Sequence, residues 1–119
     1  MRWNLLSSIN NHVQSFNQPI NETKVYHFAP KDALGNTKPL FGDIVYTADV
    51  PSLATITPSN VFFGNNMTLL TVVPAGTSGV LTVTATGSNA DVDHTPFSSQ
   101  IQVNLNELLA DHFDVTQTS

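Results

Sequence analysis

The stretch Gly79–Gly87 alternates with period two: Leu81, Val83 and Ala85 fall on one side, Thr82, Thr84 and Thr86 on the other, with a glycine at each end. Successive side chains of an extended chain point to opposite faces, so this run describes a strand buried on one face and wet on the other. Such an antiparallel strand needs neighbours to pair with and a second layer to cover its apolar side. The rest of the chain is therefore read for strands.

It supplies them. Thr23–Ala29 sets Val25, His27 and Ala29 against Lys24, Tyr26 and Phe28, and Pro30 closes it. Asp43–Ala48 sets Ile44, Tyr46 and Ala48 against Asp43, Val45 and Thr47. Leu53–Thr57, Met67–Val73 and Gln100–Leu105 read as further short strands, the last with Ile101, Val103 and Leu105 inward. Between them lie turn residues, Asp32–Asn36 and Pro74–Gly79, where Asp bonds its own backbone and Gly and Asn tolerate positive φ. Pro58–Asn66 reads as a loop; it contains Val61, Phe62 and Phe63, and adjacent aromatics face opposite sides, one inward and one exposed. About seven short strands at this spacing, in 119 residues, predict one all-β domain, an immunoglobulin-like antiparallel β-sandwich.

Both ends carry apolar residues at helical spacing. Trp3, Leu6, Ile9, Val13 and Phe16 recur every three or four positions, which predicts a short helix, or an extended first strand in its latter half, His12–Phe16. The stripe covers an open end of the core or forms an arm for a neighbouring subunit. Asn106–His112 offers a second short helix; an extended tail through Phe113 and Val115 is the alternative. The division that follows is an N-terminal arm or helix over 1–19, a sandwich over 20–105 and an extension over 106–119.

Only 11% of the residues are charged, against roughly 25% in an average domain. Thr, Ser and Asn make the polar surface instead, and neutral groups are cheaper to desolvate than charges where one surface meets another. The four bases, Arg2, Lys24, Lys31 and Lys38, all lie in the first third, and from Pro39 onward there are seven acids and no base. An acidic body of this kind lacks the electrostatic footprint for nucleic acid. Absence of cysteine excludes disulfides and thiolate metal sites. No segment is long and apolar enough to insert in a membrane, and the first dozen residues lack the apolar core of a secretory signal. The expectation is a chain that stays in a cytoplasm until lysis, or one from which an export signal has been removed.

Four stretches occur in the order of a known module. They are Lys31–Asn36 (Lys-Asp-Ala-Leu-Gly-Asn), Ile44–Ile56 with its Val-Pro-Ser-Leu-Ala-Thr-Ile ending, Ala75-Gly76-Thr77 through Leu81–Gly87, and the closing strand Gln100–Val103. Together they resemble the bacterial immunoglobulin-like (Big) domain family, found in phage virion proteins and in intimin- and invasin-like adhesins. Tyr46 stands where that family usually has tryptophan, and Pro58–Asn66 and both terminal segments are additional. The resemblance covers residues 20–105 and implies a sandwich with no activity of its own.

The chemistry-bearing residues are few. Asp91 and Asp93 are a weak candidate metal pair, because calcium takes six to eight oxygens and Asp-x-Asp supplies a fraction of them. No Gly-x-Ser-x-Gly presents a nucleophile, and the two glutamates, Glu22 and Glu107, do not make a placed acid–base pair. No catalytic residue and no cofactor are expected. The interface candidates are Trp3, Leu6, Ile9, Phe62, Phe63 and Phe113. The expected role is a non-enzymatic virion protein, a capsid decoration or a head or tail accessory, that docks on other virion proteins or on itself as a homo-oligomer, with weak host-surface glycan contact. The alternative is an adhesin or carbohydrate-binding module, extracellular at a bacterial cell surface.

Overall fold

The computed structural model describes residues 13–63, 67–110 and 112–118; side chains are described for these except at 60–63 and 67. Seven strands form in chain order: β1 (Val13–Pro19), β2 (Lys24–Phe28), β3 (Val45–Ala48), β4 (Ala54–Phe63), β5 (Met67–Pro74), β6 (Gly79–Ser88) and β7 (Pro96–Asn106). They make two sheets, β1-β7-β6-β3 and β2-β5-β4. No helix occurs among the described residues. Strands 2, 4 and 5 in one layer and 3, 6 and 7 in the other is the distribution of an immunoglobulin sandwich.

The core follows from the alternation along Gly79–Gly87. Leu81 and Val83 of β6 and Val103 and Leu105 of β7 are fully buried, with Ala85 and Ile101 nearly so. Leu70 and Val72 of β5 close the cluster from the second sheet, together with Ala54. Tyr26 and Phe28 of β2 face this core while Val25 and His27 face solvent. Tyr46 bonds the buried Thr68 hydroxyl across the sandwich at 2.7 Å and meets Phe28 edge-on. The polar face of the first sheet is stitched laterally, Ser15 to Gln102, Asn17 to Asn104, and Gln100 to Thr84.

Three elements differ from expectation. Residues 13–19, read with the arm, form β1, and β1 pairs in parallel with β7 from Val13↔Gln100 to Pro19↔Asn106. The helix considered over 2–16 is therefore replaced at 13–16 by the extended alternative; Trp3, Leu6 and Ile9 lie outside the described residues. Residues 58–63 are not a loop, because β4 runs through Pro58 to Phe63 and pairs with β5, with a register shift between Ser59 and Phe63. Proline is tolerated there because β4 is an edge strand. Finally, the described residues after Asn106 form no helix. A run that short is unstable unless an apolar face is packed, and Leu108 and Leu109 are exposed.

β1 is fastened by a buried glutamine. Gln18 is fully buried, and its amide nitrogen donates to the carbonyls of Glu22 (2.8 Å) and Val72 (3.0 Å), while its oxygen accepts from the Tyr26 hydroxyl (2.8 Å). One side chain thus ties the edge of the first sheet to β2 and β5 of the second.

Candidate docking surfaces at the two ends

Because β1 and β7 are parallel and β7 follows directly from the 89–95 loop, the chain enters the sandwich at the end that carries that loop. The 29–44 connection, the end of β4 and the start of β5 lie at the same end, since Phe28 pairs with Thr68, Phe63 with Met67 and Gly87 with Phe97. Residues 107–118 leave from the opposite end, where Asn106 is level with Pro19 and Leu105 pairs with Gly79.

Local chemistry builds the loop end. The Asp32 carboxylate accepts the backbone N–H groups of Leu34 and Asn36, both at 2.9 Å, and Gly35 takes φ +84°. These bonds, the Asn36 N–H first, hold the Asp32 carboxyl below its usual pKa. Asp91 does the same for the second loop. One oxygen accepts the Thr95 N–H at 2.8 Å and the other the Thr95 hydroxyl at 2.6 Å, and its pKa is lowered chiefly by that hydroxyl. The loops are joined by a Leu40↔Asn89 bridge, a bond from Phe41 N–H to the Ser88 carbonyl (2.8 Å), and a Phe41–His94 ring stack with centroids 3.8 Å apart.

The result is a fixed rim that presents apolar tips. Leu34 is 86% exposed, Val92 95% and Phe41 58%. Beneath it, an open groove of ≈ 560 Å³ runs beside the start of β1, with Ala29, Pro30 and Phe97 on its walls and Lys31, Asp32 and Lys38 at its margin. Lys38 reaches Asp32 at 3.7 Å, whereas Lys31 donates to the Thr37 hydroxyl at 2.7 Å and has no carboxylate within ion-pair distance among the described residues. At the opposite end Phe113 is 93% exposed, and Leu108, Leu109 and Val115 are exposed with it.

The sequence-derived candidates divide accordingly. Phe62 and Phe63 lie on the β4 backbone at the loop end, though their side chains lie outside the description, and Phe113 lies at the other end. Asp91 and Asp93 share a loop, but both oxygens of Asp91 are engaged by Thr95, and no group of three or more potential metal ligands occurs among the described residues. The structure adds Leu34, Phe41, Val92, Leu108, Leu109 and Val115, none of them among the sequence-derived candidates. For Leu34, Phe41 and Val92 the signal is a lone apolar residue inside turn chemistry, which periodicity does not detect; Leu108 and Leu109 stand at helical spacing, which says nothing of their exposure.

No family model matches the chain, and no curated protein matches it. Among solved structures, the crystal structure of domains 4 and 5 of the S-layer protein SbsC is similar, with a TM-score of 0.55 at 22% identity. The match covers 77% of this chain and 47% of that one, so this chain spans about half of that structure. A likeness at this identity establishes the fold.

Proposed function

We propose that the chain is a non-enzymatic structural module that docks on other protein subunits through its ends and displays an immunoglobulin-like sandwich. We assign those subunits to a phage virion, as a capsid decoration or a head or tail accessory. One observation carries the reading: the six most exposed large apolar side chains among the described residues, Val92, Phe113, Val115, Leu34, Leu109 and Leu108, all lie in the loops at one end of the sandwich or in the segment that leaves β7 at the other. Exposed apolar groups concentrated in this way mark interaction surfaces. The sheet face between them carries laterally bonded amides and hydroxyls.

The likeness to an S-layer protein favours a second reading, a structural module of a bacterial cell surface, where glycan contact would also occur. Immunogold labelling with an antibody to the chain separates the two. Label on particles banded in a density gradient supports the virion assignment. Label confined to the cell envelope overturns it in favour of the second reading.

A further inference from the structure

We infer that segment 107–118 of one copy docks in the groove at the loop end of a second copy, so that the sandwiches associate head to tail. This rests on the reading that the ends are docking surfaces and names a partner for them. The occupant is argued from charge and from unpartnered apolar surface. Residues 107–119 carry Glu107, Asp111 and Asp114 with no lysine or arginine, and alternate these acids with Leu108, Leu109, Phe113 and Val115. The segment's described large apolar side chains are 63–93% exposed.

The groove supplies the complement. Ala29, Pro30 and Phe97 give it apolar walls, and two of the three described bases line it. Lys31 faces no acid within ion-pair distance among the described residues, while Asp32 neutralises Lys38 alone. Asp43, Asp91 and Asp93 belong to the same end but do not line the groove. In a chain of net charge −5, this is where an acidic segment is least repelled. A second, smaller groove of ≈ 370 Å³ shares Gln14, Ala29 and Ser99 with it and reaches Phe16, Tyr26 and Phe28, which lengthens the track along β2.

Segment and groove lie at opposite ends, so the contact is heterologous: each copy keeps one free groove and one free segment. Such a contact adds copies until a ring closes, or continues as a filament.

The test uses the 119-residue protein in sedimentation equilibrium, with two variants. One carries Leu109→Ser with Phe113→Ser; the other carries Lys31→Glu with Lys38→Glu. All four positions are exposed, and unchanged circular dichroism verifies folding. The parent should show a weight-average mass rising with concentration above 12.9 kDa, less steeply at high salt. Each variant alone should stay at the monomer mass. An equimolar mixture should reach a dimer and stop, because only one intact segment and one intact groove remain. A parent that stays monomeric overturns the inference, including the case in which residues 1–12 of the same copy occupy the groove. A mixture that stays monomeric also overturns it. A monomeric parent that still labels particles or envelopes leaves the docking reading standing, so the two failures are distinguishable.

Discussion

Replacing Gln18 with leucine should cost far more than a polar-to-apolar change in an edge strand ordinarily does. The Gln18 side chain is fully buried and makes three hydrogen bonds of 2.8–3.0 Å. The Glu22 and Tyr26 partners reach solvent and recover part of their loss. Val72 is fully buried, so its carbonyl loses the amide donor with no water to replace it. A buried polar group left without its partner costs about 1–3 kcal/mol, and each ordinary bond contributes about 1 kcal/mol net. The added apolar burial returns about 1 kcal/mol. The expected loss is therefore about 2–3 kcal/mol.

Tyr26→Phe removes one of the same bonds and strands the Gln18 oxygen, at about 1–2 kcal/mol. Because both substitutions delete the same Tyr26–Gln18 bond, the double variant should lose about 1 kcal/mol less than the sum of the singles. Urea unfolding followed by far-ultraviolet circular dichroism reads all three, with m unchanged. A Gln18→Leu protein within about 0.5 kcal/mol of the parent, the range of surface substitutions, would falsify the clasp. Strict additivity would do so as well.

Other outcomes follow from the same geometry. A Cβ built at Gly87 lies 3.0 Å from the Phe97 ring, so Gly87→Val should displace that ring and destabilise by about 1–3 kcal/mol in the same urea assay. Asp32 and Asp91 have lowered pKa values in the folded protein. Their contribution is thus present above the ordinary aspartate pKa and is lost as pH falls through the lower folded values. Asp32→Asn and Asp91→Asn should each flatten the acid limb of a melting-temperature profile below the ordinary aspartate range; an unchanged limb refutes the turn bonds. Phe113→Ser should shift stability by less than about 0.5 kcal/mol, and a larger thermal shift would mean that the segment packs on its own sandwich.

What the sequence made legible was decided by whether a strand has one buried apolar face. β6 and β7 do, and their inward residues Leu81, Val83, Ile101, Val103 and Leu105 can be read by alternation alone. β1 does not: Val13 and Phe16 are exposed and its buried side chain is Gln18, so no pattern separates it from a tail. Its parallel pairing with β7 depends on a residue 87 positions away, Val13 against Gln100. Read from the sequence, β4 ends before Pro58, whereas proline is excluded only from a central strand and not from an edge. The loop end was illegible for a related reason. Asp32 and Asp91 could be read as turn formers, but the joining of their loops through Phe41 and His94 is a tertiary fact.

The position of the two candidate docking surfaces follows from the strand count. Successive strands of the two layers run alternately up and down the sandwich, so a chain with seven of them enters at one end and leaves at the other. An even number would bring both termini to one end. The chain's linear charge order is thereby spread along the molecule: Lys31 and Lys38 fall in the connection at the entry end, and Glu107, Asp111 and Asp114 follow the last strand at the exit. An acidic and apolar segment at the exit cannot fold back on a groove at the entry without crossing the length of the sheet. That separation lets the exit segment of one copy face the entry groove of another when two copies meet head to tail, which is the contact that the sedimentation test reads.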